Sequence, residues 1–405
     1  MKFKAILFFL TLIISSFFSS ANAQLSQTDN VVGSKLLLKS EILNEEREIQ
    51  VYLPDSYETS NKNYPVLYLL DGQRLFLHGV SLLQSFTHFK VTPEFIVVGI
   101  TNKYPDRFRH FYAVDTFLNF IEKEVVQLID NTFRTSKERL LFGWEYGGAF
   151  VIKSMLKKPD LFNAYIASSP FPLDSSFPAA RTVQEIDSLL SSKKTFNNLL
   201  YFSASTSEGG GVFSGVQKLD SVLKNKAPKS MKWFFRKLDH GTEHSYTPYA
   251  AIESGIRHYY KYYPELHIPT FKGFIENGGV PYIKSYYKER AKQFGFPSGL
   301  SEWTKFSILR AALRANKYAE FDAYAKQFIS FELINTIRNN QPYELTRFYI
   351  KNKGYEKAIN IYKMLVNKHQ KSPRPLTKIG DAYMLLNNKK EAKKYYKKAK
   401  KLSKD

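Results

Sequence analysis

The chain of 405 residues reads as a doubly wound α/β sandwich on a mostly parallel sheet, followed by an all-α segment. Three observations predict this. Short continuous apolar runs alternate with helix-patterned stretches up to about residue 270, the signature of strands buried on both faces. Strand signals then stop around the YPELHIPT stretch. Beyond it, the sequence repeats itself with a period of about 34 residues, which implies stacked helix pairs.

In order along the chain, residues 35–52 alternate in the manner of a β-hairpin. YPVLYLL (64–70), ending at Asp71-Gly72, is the first buried strand, and FIVVGI (95–100) after Pro93 is the second. Residues 115–130 are patterned as a helix and lead into RLLFG at 139–143. Further strand candidates are AYIAS (164–168), NLLYFS (198–203) and KWFFRKL (232–238), with helices expected at 150–157 and 216–224. In the tail, Leu345, Tyr349, Ala358 and Tyr362 recur as Ile379, Tyr383, Ala392 and Tyr396, with Gly380 and Ala399 as small residues where paired helices press together. That spacing is tetratricopeptide-like. A few repeats are needed to bury a continuous core, so the helices before the repeats are expected to flank them and rest on the α/β domain. The expected division is a leader at 1–23, an α/β domain at 24–270, a helical connector at 271–341 and tetratricopeptide-like repeats at 342–405.

Lys2 and Lys4 precede an apolar run that ends in serines, and Ala21 and Ala23 form an A-x-A-like cleavage site. This predicts a secretory signal peptide, the run being shorter than the roughly 20 residues of a spanning helix. The mature protein is therefore expected to be exported, periplasmic or secreted, and not membrane-spanning. With no cysteine, disulfides, thiol nucleophiles, thiolate metal sites and lipoprotein acylation are excluded. The net charge of +22 would suit a polyanion partner, but from Lys351 onward 17 Lys and Arg stand against 4 Asp and Glu, so 13 of those charges lie in the tail. A solvated lysine-rich helix face is the simpler reading, with an anion-binding patch as its alternative, and no nucleic acid is expected.

The segment LFGWEYGGAF (141–150) follows a strand and opens a helix. In the G-x-S-x-G nucleophile elbow, glycines allow a tight turn that lifts the central side chain above the sheet, with the next N–H facing an oxyanion. Gly143 and Gly147 are in place here, but the central residue is Glu145. The elbow, together with YPVLYLLDG, PEFIVVGI, FRTS (133–136), KPDLFNAYIASSP (158–170) and DHGTEH (239–244), resembles the Putative esterase family of α/β hydrolases, the group that holds esterase D-like enzymes and ferric-siderophore trilactone esterases. The resemblance spans about 32–260.

That resemblance implies an α/β-hydrolase fold and ester chemistry without a cofactor or a metal. It places His240 as general base, Glu208 or a neighbour as the acid, and the N–H groups of Tyr146 and Gln73 as the oxyanion hole. Asp239 is an alternative acid, His244 an accessory histidine, and Ser168 and Ser169 are weak substitute nucleophiles. Asn102, Arg107 and Arg109 resemble the family's loop, but His110 stands where an aspartate is usual. A carboxylate attacking an acyl ester would form an anhydride and repel the developing oxyanion. The sequence therefore predicts an exported, catalytically impaired homologue that keeps a pocket for a small ester-like ligand, with its repeats free to contact a protein partner. One alternative is an active hydrolase of esters or siderophore-like lactones using Glu145 and His240. Another is an envelope scaffold acting through the repeats.

Overall fold

The computed structural model describes residues 29–173, 181–191 and 195–403. The expected signal peptide lies outside the described residues. Among those described, no helix is long and apolar enough to cross a membrane.

Eight strands form one sheet in the order β1-β2-β4-β3-β5-β6-β7-β8. The hairpin is β1 (Ser34–Ser40) and β2 (Glu45–Tyr52), antiparallel to each other, and β2 is also antiparallel to β4 (Ile96–Ile100). All remaining pairs are parallel, joining β3 (Tyr64–Leu70), β5 (Thr135–Trp144), β6 (Ala164–Ser168), β7 (Leu199–Ser205) and β8 (Lys232–Leu238). This is the expected α/β-hydrolase architecture. Every residue of β3, β4, β6 and β7 is buried, because helices cover both faces of the sheet and exclude water from it. The strand order reverses around β3, which leaves a crevice at the carboxyl ends of β3, β4 and β5.

Helices α1 (Gly72–His88), α2 (Asp106–Tyr112), α3 (Val114–Phe120), α4 (Gln127–Thr132), α5 (Tyr146–Lys157), α6 (Thr182–Ser191), α7 (Val212–Lys226) and α8 (Thr247–Tyr259) complete the sandwich. The stretch expected as one helix at 115–130 is helical throughout, with a π turn at Ile121–Val126 between α3 and α4.

The remaining helices are α9 (Phe271–Glu276), α10 (Gly279–Phe294), α11 (Glu302–Arg314), α12 (Tyr318–Phe328), α13 (Phe331–Thr336), α14 (Gln341–Lys351), α15 (Tyr355–Lys368), α16 (Arg374–Leu385) and α17 (Lys389–Leu402). They share one apolar core that runs from Ile268 to Ala382. The helices ahead of the repeats thus contribute to the same core as the repeats, while Phe294 stacks on Tyr260 of the α/β part at 5.5 Å. The two aligned copies fall on the pairs α14/α15 and α16/α17. Ala358 and Ala392 are fully buried, and a Cβ on Gly380 would sit 2.5 Å from the Tyr396 ring, so a larger residue there would push the last two helices apart.

Candidate functional site

The candidate site lies where β3, β5, β6, β7 and β8 end. β5 runs into α5 through Glu145, whose backbone takes φ 57° and ψ −118°, a conformation sparsely populated by side-chain-bearing residues. The turn is this tight because α5 presses on the end of β5: a Cβ on Gly143 would collide with the Gly147 carbonyl oxygen, and one on Gly148 would lie 2.8 Å from Ser168 O. The elbow geometry is therefore intact around the replaced residue.

Glu145 is drawn into an ion-pair network. Its Oε2 accepts a hydrogen bond from Arg107 Nη1 at 3.0 Å, and its side chain is 26% exposed. The same guanidinium grips Asp71 in bidentate fashion, Nε to Oδ1 at 2.8 Å and Nη2 to Oδ2 at 2.9 Å. Asp71 is fully buried, and the Arg107 side chain is 6% exposed. Burial alone would lower the Arg107 pKa, but the hydrogen bonds and charge of Asp71, with Glu145, carry it above its ordinary value. Rings of Phe111, Trp144, Tyr146 and Phe108 surround the cation at 5.3 to 6.0 Å. A guanidinium is planar, permanently charged and able to stack, so it suits a shared position between two carboxylates and four rings better than lysine would.

Across the crevice, Glu208 and His244 form a second unit. His244 Nδ1 and Glu208 Oε1 are 2.5 Å apart. Glu208 Oε2 accepts from the Ser205 N–H at 2.7 Å and from Ser169 Oγ at 2.9 Å, which leaves its side chain only 5% exposed. Ser169 Oγ also meets Thr247 Oγ1, and Thr247 in turn bonds the His244 carbonyl. The hydrogen bond to Glu208 raises the His244 pKa, its burial opposes this, and the charges of Glu208 and Glu145 add to the rise. The Trp144 ring lies 4.8 Å from the imidazole, tilted 37° to it.

These contacts join Glu208 to His244 and not to His240. His240 sits at an exposed turn closed by Thr242 N–H to Asp239 O, with Gly241 at φ 94°, and this turn leaves its ring in solvent. The chain re-enters the crevice at His244, one helical turn before Thr247-Pro248 open α8. Ser168 and Ser169 are both fully buried, and Ser169 serves as a donor to Glu208. Asp239 is exposed, so Glu208 is the acid that geometry pairs with a histidine.

The two expected oxyanion donors both lie in the first turn of a helix, where N–H groups lack intrahelical acceptors: Gln73 in α1 and Tyr146 in α5. The Gln73 side chain clamps the end of β4 by exchanging hydrogen bonds with Asn102 N and O, at 2.9 and 2.8 Å. Asn102 Oδ1 accepts from Asp71 N–H at 3.3 Å. His110, the departure in this loop, pairs with Glu45 of β2 through Nε2 at 2.7 Å, lies beside Arg47 and stacks on Phe117. Burial and the Arg47 charge lower its pKa. Arg109 pairs with Glu45 and Asp106 on the exposed side of that cluster.

Cavities of about 520 and 580 Å³ open at the opposite, amino end of the strands, one lined by Tyr64, Pro93 and Arg290 and the other by Asn163, Leu199 and Lys232. Neither includes an elbow residue. The elbow and the strand-order reversal, rather than cavity size, locate the candidate site.

Comparison with known proteins finds relatives of the α/β part. Residues 40–199 match the family model described as Putative esterase. The siderophore triacetylfusarinine C esterase of Aspergillus fumigatus is 30% identical over 146 residues, 30% of this chain and 50% of that protein. The ferri-bacillibactin esterase BesA of Bacillus subtilis is 27% identical over 181 residues, 37% of this chain and 62% of that protein. The match thus spans only about half to three fifths of these relatives. Among solved structures, an IroE-like serine hydrolase from Shewanella oneidensis superposes with a TM-score of 0.53 at 24% identity, covering 73% of this chain and 100% of that one.

Proposed function

With the α/β part of this chain belonging to the Putative esterase family, we propose that the protein is an exported binder of a small ester- or lactone-containing ligand that it does not hydrolyse at an esterase's rate. The observation that carries this reading is the Asp71–Arg107–Glu145 network at the elbow. A serine there would offer a hydroxyl to His244. Glu145 offers an anion whose Oε2 is already taken by Arg107. An attack through that carboxylate would create an anhydride and place negative charge beside the developing oxyanion, which costs transition-state stabilisation instead of supplying it.

Binding needs less. The first-turn N–H groups of Gln73 and Tyr146 suit a ligand carbonyl oxygen, and Glu145 Oε1 suits a ligand hydroxyl or amide N–H. Phe108, Tyr146 and Phe171, which meet edge to face at 4.8 and 5.8 Å, supply apolar area beside them. The names of the two relatives suggest ferric siderophores with ester linkages as the first ligands to try. Export rests on the predicted leader, and protein contact through the helical repeats is a second proposed role.

The test is hydrolysis of a short-chain ester panel by the natural protein, Glu145→Ser, and Glu145→Ser combined with either His244→Ala or His240→Ala. Losing the serine of a triad costs on the order of 10⁶ in rate, so the natural protein is expected near background and Glu145→Ser at least about 100-fold above it. That gain is expected to vanish with His244→Ala and to survive His240→Ala. Substantial turnover by the natural protein, abolished by Glu145→Gln, would overturn the binding reading and establish Glu145 as a base for water.

A further inference from the structure

The last helix carries a feature that the elbow does not explain. α17 reads KKEAKKYYKKAKKL, eight lysines and one glutamate, and all eight lysines are exposed. At about 100° per residue they occupy an arc of roughly 180°, while Ala392, Tyr395, Tyr396, Ala399 and Leu402 take the other half. That inner half is occupied by packing: Ala392 and Ala399 are buried, Tyr395 stacks on Tyr383 at 5.6 Å, and Tyr396 Oη donates to Asp381. The lysines are therefore held together on a rigid face whose mutual repulsion destabilises the helix unless an anion meets it.

Beside this face, where α16 turns into α17, Met384, Leu385 and Leu386 are 43%, 49% and 37% exposed. Three consecutive exposed apolar residues on an otherwise polar tip are unfavourable in water unless they serve contact. Cationic face and apolar tip are the two halves of an interfacial lipid site: lysines meet anionic headgroups, and a short apolar tip enters the headgroup–acyl boundary. We propose that this end of the helical segment docks the protein on an anionic lipid surface. A soluble polyanion would satisfy the lysines but leave the tip in water. A single-stranded nucleic acid would also lack stacking partners, since both tyrosines of α17 face inward.

Sedimentation of the full-length chain with vesicles tests this, every arm using the same chain so that the apolar N-terminal run contributes equally. The vesicles are phosphatidylcholine alone, or phosphatidylcholine with roughly one third phosphatidylglycerol. Binding is expected to be tighter to the anionic vesicles, and that excess to fall as salt rises. Changing Lys397, Lys398, Lys400 and Lys401 to Gln should weaken it at least about 100-fold, because each lysine near such a surface contributes roughly fivefold. Leu385→Ser with Leu386→Ser should weaken it about tenfold or more without altering the salt dependence. Both variants change exposed side chains, and unchanged circular dichroism confirms folding. Equal binding to both vesicle types, or binding indifferent to the lysine variant, overturns the proposal. Capture by heparin as tight as by the anionic vesicles, unaffected by the leucine changes, overturns it in favour of a soluble polyanion.

Discussion

The two sides of the crevice differ in what holds them. On one side, Glu208 and His244 form a hydrogen-bonded pair supported by Ser169, Ser205 N–H and Thr247. On the other, the elbow residue is a carboxylate, and its charge is absorbed by Arg107, already committed to buried Asp71. On the proposed reading, the first arrangement prepares an imidazole for proton transfer and the second lacks the hydroxyl that would use it. A scaffold can keep its turn, its helix N-terminus and its acid–histidine pair with a carboxylate at the elbow, since those parts are fixed by packing that does not involve the side chain at position 145.

Breaking the ionic side should have the larger effect. Arg107→Met strands Asp71, fully buried, without a counter-charge, and is expected to cost about 3 to 5 kcal/mol in chemical denaturation. A loss below about 1 kcal/mol would mean that Asp71 does not depend on the Arg107 charge, and the contrast between the two sides would collapse. Removing the support of the other side is milder. Ser169→Ala deletes a buried donor to Glu208, for an expected cost of about 1.5 to 3 kcal/mol in the same measurement.

The smallest effects separate two histidines by sign. His244 has a raised pKa because Glu208 stabilises its charged form, so its contribution to stability is complete below about pH 6.5 and is lost as pH rises through the raised value. His110 has a lowered pKa because burial and Arg47 disfavour its charge, so its contribution is present above about pH 6.5 and is lost as pH falls. Proton NMR titration should find His244 above and His110 below the ordinary histidine range, with Glu208→Gln moving His244 downward. Titration of both in the same direction would show that the Glu208 hydrogen bond does not control His244.

Local pattern determined much of this protein. Uninterrupted apolar runs such as YPVLYLL and AYIAS had to be buried on both faces, and they became β3 and β6 with the expected bounds. Gly143 marked the elbow because its close approach to the Gly147 carbonyl tolerates no Cβ, and the 34-residue spacing marked the last two helix pairs. The tertiary structure alone decided which side chains meet. Glu145, Arg107 and Asp71 are tens of residues apart, and their meeting depends on three strand ends converging at one crevice. His244 rather than His240 meets Glu208 because residues 241–243 lead the chain from an exposed turn back to the sheet ends just before Thr247 opens α8. Periodicity records which face of an element is buried, but pairing across elements is set by how the sheet orders its strands, and no local pattern encodes that order.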